Sequence, residues 1–111
     1  MNKDTLGQLT QLLEQRKSEK KAESYVASLH AQGIDKILQK VGEESIETIL
    51  AAKDAKMSGQ TDAVISETAD LWFHTMVMLS HLGTDIKAVI NELDRRFGVS
   101  GLEEKTQRQN G

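Results

Sequence analysis

Two pairs of acidic residues in this 111-residue chain have a spacing that suits metal chemistry. Glu44 and Glu47 form one pair, and Glu67 and Asp70 form the other, each with the spacing i, i+3. On an α-helix this spacing places both carboxylates on one face, about one turn apart. If the two helices are antiparallel neighbours across a turn at 58–60, the four carboxylates converge. Such a cluster needs a divalent cation to neutralise it.

A solvated helix face is the competing interpretation of these acids, because ion pairs such as Lys40 with Glu44 are common at i, i+4 on surface helices. The second pair, however, opens the most hydrophobic helix of the chain, where charges without partners are costly. The chain contains no cysteine, so a metal would be held by oxygen or imidazole ligands. Hard oxygen ligands favour Mg²⁺, with Mn²⁺ as the alternative.

Phosphate chemistry beside such a site would also need cationic side chains. The helix face that carries Glu44 and Glu47 is called the acidic stripe. The candidates lie on this stripe, on another face of the same helix or at a helix end, and they are Lys36, Lys40, Lys53, Arg95 and Arg96. His74 follows Asp70 by four residues and could orient a carboxylate or contact the substrate. A hydrogen bond within the helix packing is the competing interpretation of His74. His30 and His81 receive no role.

The composition predicts a single all-α domain over residues 1–100, followed by a polar tail at 101–111. Proline is absent and aromatic residues make up 4% of the chain, which favours helices over sheets. A net charge of −3 gives no general attraction to nucleic acid or to an anionic membrane. No apolar segment suits a signal peptide or a membrane span, so we expect a cytoplasmic protein.

Apolar residues recur with helical period in four to five segments. The first predicted helix ends near 17, the second spans about 24–33, and the third runs from 34 to about 56. The fourth runs from 61 or 62 to 82, and the fifth begins after a cap at Thr84. Gly42 interrupts the third helix, either because another backbone or a ligand comes close or as a tolerated surface glycine. Residues 71–82 are apolar on nearly every side, so we expect a helical bundle that is completed by homodimerisation.

Several runs of the sequence resemble the all-α nucleotide pyrophosphohydrolases, a MazG-like superfamily with an ExxE…ExxD metal site. They are Lys40 to Glu47, Ala52-Lys53, Glu67 to Leu71, and His74. Within that superfamily the chain most closely resembles the phosphoribosyl-ATP pyrophosphohydrolases of histidine biosynthesis. This closer resemblance rests on Ser24-Tyr25, Leu29, Gly33 and the run from Arg96 to Lys105.

The resemblance implies hydrolysis of phosphoribosyl-ATP to phosphoribosyl-AMP and pyrophosphate, with Mg²⁺ bound by Glu44, Glu47, Glu67 and Asp70. It implies that Glu43 or one of these four acids accepts the proton of the attacking water. The phosphate contacts would come from Lys36, Lys40, Lys53, His74, Arg95 and Arg96. The cyclohydrolase of the next step does not fit in this length and is expected on a separate chain.

Three other functions compete with this interpretation. The nearest is a house-cleaning pyrophosphohydrolase that acts on dUTP, dCTP or a noncanonical nucleoside triphosphate, because the four-acid site is common to the superfamily. A non-enzymatic dimeric helical interaction module, with the acids on a solvated face, is an alternative of another class. A carboxylate di-iron protein is disfavoured because the Glu-x-x-His motif expected on two helices is missing.

Overall fold

The computed structural model describes residues 4–98, which form five helices and no strand. In chain order the helices are α1 (Thr5–Lys17), α2 (Tyr25–Gln32), α3 (Ile34–Ser58), α4 (Asp62–His81) and α5 (Ile86–Phe97). The prediction of an all-α fold is confirmed. The expected polar tail at 101–111 lies outside the described residues, as does most of the motif that begins at Arg96.

Side-chain caps determine where the first two helices begin. The carboxylate of Asp4 accepts a hydrogen bond from the backbone N–H of Gly7 at 3.0 Å. The hydroxyl of Ser24 accepts one from the N–H of Ala27 at 2.9 Å. Each bond satisfies a backbone donor that has no partner inside its own helix. The predicted start of α2 at Ser24 is important for the site, because it places Tyr25 at the first helical position.

The cap of α5 differs from the prediction. Asp85, not Thr84, is the capping residue, and its carboxylate accepts a hydrogen bond from the N–H of Ala88 at 3.2 Å. The N–H of Thr84 instead donates to the carbonyl of Leu79 at 2.9 Å. Thr84 therefore belongs to the turn that ends α4 and is not free to begin α5.

A short turn joins α3 and α4 as antiparallel neighbours, which is the condition for the four acids to converge. α3 runs two residues past its predicted end and stops at Gly59, whose left-handed φ of 76° favours glycine. The Gly59 N–H donates to the carbonyl of Ala55 at 2.8 Å. α4 then starts after Thr61, and the two helices pack along each other more extensively than any other pair.

Gly42 lies inside α3, and a close approach of another backbone does not explain it. A Cβ atom at this position would meet no atom within 4 Å among those that the structure describes. No described backbone therefore requires glycine here, and a tolerated glycine on an exposed helix surface agrees with the structure.

The hydrophobic core lies where α1 and α2 pack on α3 and on the second half of α4. Its buried members are Leu13, Val26, Leu29, Ile37, Met76 and Val77. The part of the α3–α4 hairpin nearer its turn receives no such cover, so large apolar side chains are more than half exposed there. They are Ile46, Ile49, Leu50, Ile65 and Trp72. None of the described helices combines the length and the apolar character that a bilayer span requires.

Candidate active site

The two acidic pairs meet across the α3–α4 hairpin. One carboxylate oxygen from each of Glu44, Glu67 and Asp70 lies within 4.8 Å of the other two. Glu47 stands beside this group. After burial, the nearby carboxylate of Glu47 is the largest influence that raises the pKa of both Glu44 and Glu67. Helical spacing therefore brings together the four acids that the sequence singled out.

Two buried carboxylate oxygens in this cluster have no hydrogen-bond partner within residues 4–98. They are Oε2 of Glu44, a residue that is only 7% exposed, and Oε2 of Glu67. Buried carboxylates without partners are costly, and both groups respond with a raised pKa. A hard divalent cation would supply the missing partner, and an all-oxygen donor set suits such a cation. The cluster could thus bind a metal ion.

Thr48 holds the two acid-bearing helices in register. Its hydroxyl lies 2.7 Å from the carbonyl oxygen of Glu44 and 3.2 Å from that of Glu67. The first of these carbonyls belongs to α3 and the second to α4, so one side chain ties together the backbones that carry the acids. Sequence reasoning missed Thr48, and the only available signal was its i+4 spacing from Glu44 on the acidic stripe.

Lys40 lies at the edge of the acidic cluster. Its Nζ atom is 3.1 Å from Oε2 of Glu43 and 3.7 Å from Oε1 of Glu44, so the predicted i, i+4 pair does form. Glu43 itself is exposed and accepts a second hydrogen bond from Gln39. Gln39 and then Lys40 hold the pKa of Glu43 below its ordinary value. Lys40 thus provides a positive charge next to the acids, while Glu43 faces solvent.

His74 is buried behind Asp70 and is held by hydrogen bonds at both ring nitrogens. Nδ1 lies 2.8 Å from the carbonyl oxygen of Asp70, and Nε2 lies 2.8 Å from the hydroxyl of Tyr25. A carbonyl oxygen only accepts, so Nδ1 carries the proton and Nε2 accepts from the Tyr25 O–H. His74 therefore contacts the main chain of Asp70 and not its carboxylate. Tyr25 was not predicted as a site residue, because 49 residues separate it from His74.

The two predicted arginines bind elsewhere in this structure. Arg95 and Arg96 both form ion pairs with Glu92 on their own helix. Their hydrogen bonds lower the pKa of Glu92 to about 2. α5, which carries all three residues, packs against α1. The structure therefore does not bring these arginines to the acidic cluster of the same chain.

The remaining predicted lysines differ in their position. Lys36 is close enough to Glu43 for its charge to help lower the pKa of that carboxyl. Lys53 is exposed on α3 and has no ion-pair partner among the residues that the structure describes. Of the predicted lysines, only Lys40 touches one of the four converging acids, through Glu44.

His30 and His81 form a pair that the sequence did not reveal. Their Nδ1 atoms are 2.9 Å apart, the ring centroids are 5.1 Å apart and the ring planes differ by 18°. The centroid separation exceeds the nitrogen separation by about one ring width, so the rings lie edge to edge and share one N–H···N hydrogen bond. His81 follows Asp70 by eleven residues on α4, about 16 Å along the helix axis, so this pair lies away from the acids.

An all-helical chain in which two i, i+3 acid pairs meet across a hairpin is consistent with the fold of an all-α nucleotide pyrophosphohydrolase. Comparison with protein families agrees with this class. The family model for phosphoribosyl-ATP pyrophosphohydrolase matches residues 6–97, and the chain belongs to that family. It is therefore a hydrolase of phosphoric anhydrides, a phosphoribosyl-ATP diphosphatase of histidine biosynthesis.

Proposed function

We propose that this chain catalyses the second step of histidine biosynthesis with Mg²⁺ bound by Glu44, Glu47, Glu67 and Asp70. The reaction converts phosphoribosyl-ATP and water into phosphoribosyl-AMP and pyrophosphate. The observation that carries the proposal is the convergence of three of these carboxylates, with two buried oxygens that have no hydrogen-bond partner in the described part of the chain. Mn²⁺ is the alternative ion, because it accepts the same oxygen ligands.

When bound, the divalent ion would neutralise the triphosphate and lower the pKa of the attacking water. The acids supply the other requirement, which is a fixed geometry. Glu44 and Glu67 are tied through their backbones to Thr48, and Asp70 is tied through its carbonyl to His74. Preorganised ligands of this kind cost little reorganisation during the reaction.

Hydrolysis breaks the anhydride between the α and β phosphates. The water oxygen bonds to one phosphorus atom, the bridging oxygen leaves with the other, and a proton passes to a carboxylate. Glu43 is the poorer acceptor, because Gln39 and Lys40 already bind it and lower its pKa. We therefore assign the proton to one of the four converging acids.

Lys40 is the first candidate for a phosphate contact, because it already lies beside Glu44. Lys36 and Lys53 remain candidates on the same helix, and His74 remains one behind Asp70. Arg95 and Arg96 could reach phosphate only by leaving Glu92, or from a second subunit. A charge on the rim of the site would act mainly by neutralising the triphosphate.

The exposed apolar surface supports a homodimer. A groove of about 440 Å³ runs between α5 and the α3–α4 hairpin, and its lining includes Leu71, Trp72, Ile90 and Leu93. Together with the exposed side chains near the hairpin turn, this groove leaves apolar surface of the kind that subunit interfaces cover. A second copy of the chain is the proposed cover, with residues 1–100 as one domain. We place the assembly in the cytoplasm, with the cyclohydrolase on a separate chain.

Pyrophosphate release from phosphoribosyl-ATP, measured with Mg²⁺ and with chelator, tests the proposal. Turnover that needs the ion and exceeds turnover of dUTP and dCTP supports it. Preference for dUTP or dCTP would indicate a house-cleaning enzyme, and inertness towards all three would favour an interaction module. Glu47→Gln and Asp70→Asn should each abolish most turnover, because each removes a charge next to the cation. Glu23→Gln, at an exposed residue outside the cluster, is the matched control.

A further inference from the structure

Tyr25 is oriented in the reverse of the usual way. A tyrosine in a folded protein commonly buries its ring and leaves its hydroxyl near water. Here the hydroxyl reaches inward to His74, which is only 6% exposed, while the residue as a whole is 52% exposed. Because the polar end is bonded inside, the exposed part of the side chain is largely the apolar ring.

The ring of Tyr25 is also held firmly. Besides the hydroxyl bond, it stacks on Phe73 with centroids 6.4 Å apart, and it meets the edge of His74 at 5.7 Å. Tyr25 is the first residue of α2, directly after the Ser24 cap. A ring fixed in this way loses little freedom when a ligand packs on it, so binding there costs little entropy.

The polar end of Tyr25 lies at the acidic cluster. Its partner His74 also binds the carbonyl of Asp70. Burial is the first cause that raises the pKa of the Tyr25 hydroxyl, and the charges of Lys40 and Glu44 on α3 also act on it. The exposed ring therefore stands on the rim of the candidate metal site, on the side of α2.

We propose that the exposed ring of Tyr25 is the surface against which the nucleoside part of the substrate packs. The inference rests on the proposed function, because phosphates bound at the acids would place the attached ribose and base at this rim. A rigid aromatic face suits a planar base or the apolar face of a sugar. Tyr25 thus separates the recognition of the nucleoside from the binding of the phosphates.

Equilibrium binding of one phosphate ligand with a nucleoside and one without a nucleoside tests this inference. AMP and pyrophosphate are titrated in the presence of Mg²⁺ into the parent, Tyr25→Leu and Tyr25→Phe. We expect Tyr25→Leu to weaken AMP binding about tenfold, the order of effect seen when one stacking ring is lost, and to leave pyrophosphate binding unchanged. Tyr25→Phe keeps the ring and should keep most of the AMP affinity. In turnover, Tyr25→Leu should raise KM for phosphoribosyl-ATP more than it lowers kcat.

Two results would overturn the inference. An equal loss of AMP and pyrophosphate affinity would mean that Tyr25 acts through the metal site. Unchanged AMP affinity, with dissociation of the dimer in Tyr25→Leu, would mean that a second subunit covers the ring. If Tyr25→Leu does not fold, Tyr25→Trp is used in its place. We expect Tyr25→Trp to bind AMP as tightly as the parent or more tightly, and weaker binding would contradict the inference.

The same titration distinguishes failure of this inference from failure of the proposed function. A parent protein that does not hydrolyse phosphoribosyl-ATP, but whose AMP affinity depends on the ring, would refute the proposed reaction alone. A parent that hydrolyses phosphoribosyl-ATP, with AMP affinity independent of the ring, would refute the role of Tyr25 alone.

Discussion

The hydroxyl of Thr48 on α3 and the carbonyl oxygen of Glu67 on α4 lie 3.2 Å apart, across the two helices that carry the acids. We expect Thr48→Val, which keeps the shape of the side chain, to cost about 1 kcal/mol of unfolding free energy through loss of this bond. Turnover should fall as well, because the two acid pairs are no longer held in one register. Urea denaturation and kcat measure the two effects.

Thr75→Val is the matched control for Thr48→Val. The Thr75 hydroxyl bonds to the carbonyl of Leu71 at 2.8 Å, four residues earlier in the same helix. The Thr75→Val substitution should affect kcat little, because the bond that it removes does not link two helices. Equal losses of kcat in both variants would mean that Thr48 has only a local role in its own helix.

The pair of His30 and His81 predicts a dependence of stability on pH. Burial is the first cause that lowers the pKa of His30, followed by the charges of His81 and Lys17, with Glu14 opposing them. Because the folded pKa of His30 lies below the ordinary value of 6.5, neutral His30 stabilises the fold above that pH. This stability is lost as the pH falls from 6.5 through the folded pKa.

His30→Asn should flatten that dependence. We expect the difference in Tm between the parent and His30→Asn to shrink as the pH falls from 7 towards 5. Comparing the two proteins at each pH removes the contribution of the acidic cluster, which both contain. A difference that stays constant with pH would show that protonation of His30 is not linked to folding.

The sequence allowed prediction of relations within one helix and across one short turn, but not of contacts between helices that are distant in the chain. Helical spacing predicted that Glu44 and Glu47 share a face, and a short turn predicted that they meet Glu67 and Asp70. The contact of Tyr25 with His74 depends on how α2 packs against α4, which local periodicity does not determine. The cap of α5 was misplaced by one residue for a related reason. Thr84 and Asp85 are both good caps, and the turn that ends α4 engages the first of them.

The proposed dimer is tested at Trp72, which is 56% exposed and lines the apolar groove. We expect the parent to sediment as a dimer at micromolar concentration and Trp72→Lys to shift it towards monomer, because a charge is then buried in the interface. Leu12→Lys is the control, since Leu12 is 40% exposed on α1 and does not line that groove. A stable, folded parent monomer would contradict the proposal.

The acidic cluster should make the metal-free protein less stable than a neutralised variant. The pKa values of Glu44 and Glu67 are raised above 4.5, first by burial and then by Glu47. Groups of this kind stabilise the fold below their ordinary pKa, and the contribution is lost as the pH rises through the folded pKa. In chelator at neutral pH, the double variant Glu44→Gln, Glu67→Gln should therefore melt at or above the temperature of the parent. The ion pair that it loses with Lys40 is 3.7 Å long, which is beyond hydrogen-bond distance, so its contribution is small.

Adding Mg²⁺ should then reverse the order of the two melting temperatures. A ligand that binds only the folded state stabilises it by RT ln(1 + [L]/Kd), about 2.7 kcal/mol at a hundredfold excess over Kd. The parent should gain on this scale, whereas the double variant lacks the charges that bind the ion. Glu23→Gln should follow the parent in both conditions. If the double variant is clearly less stable than the parent in chelator, Glu44 and Glu67 form stabilising contacts as acids on a helix face do. The proposed metal site would then lose its physical basis in this chain, because the like charges would carry no cost for a cation to relieve.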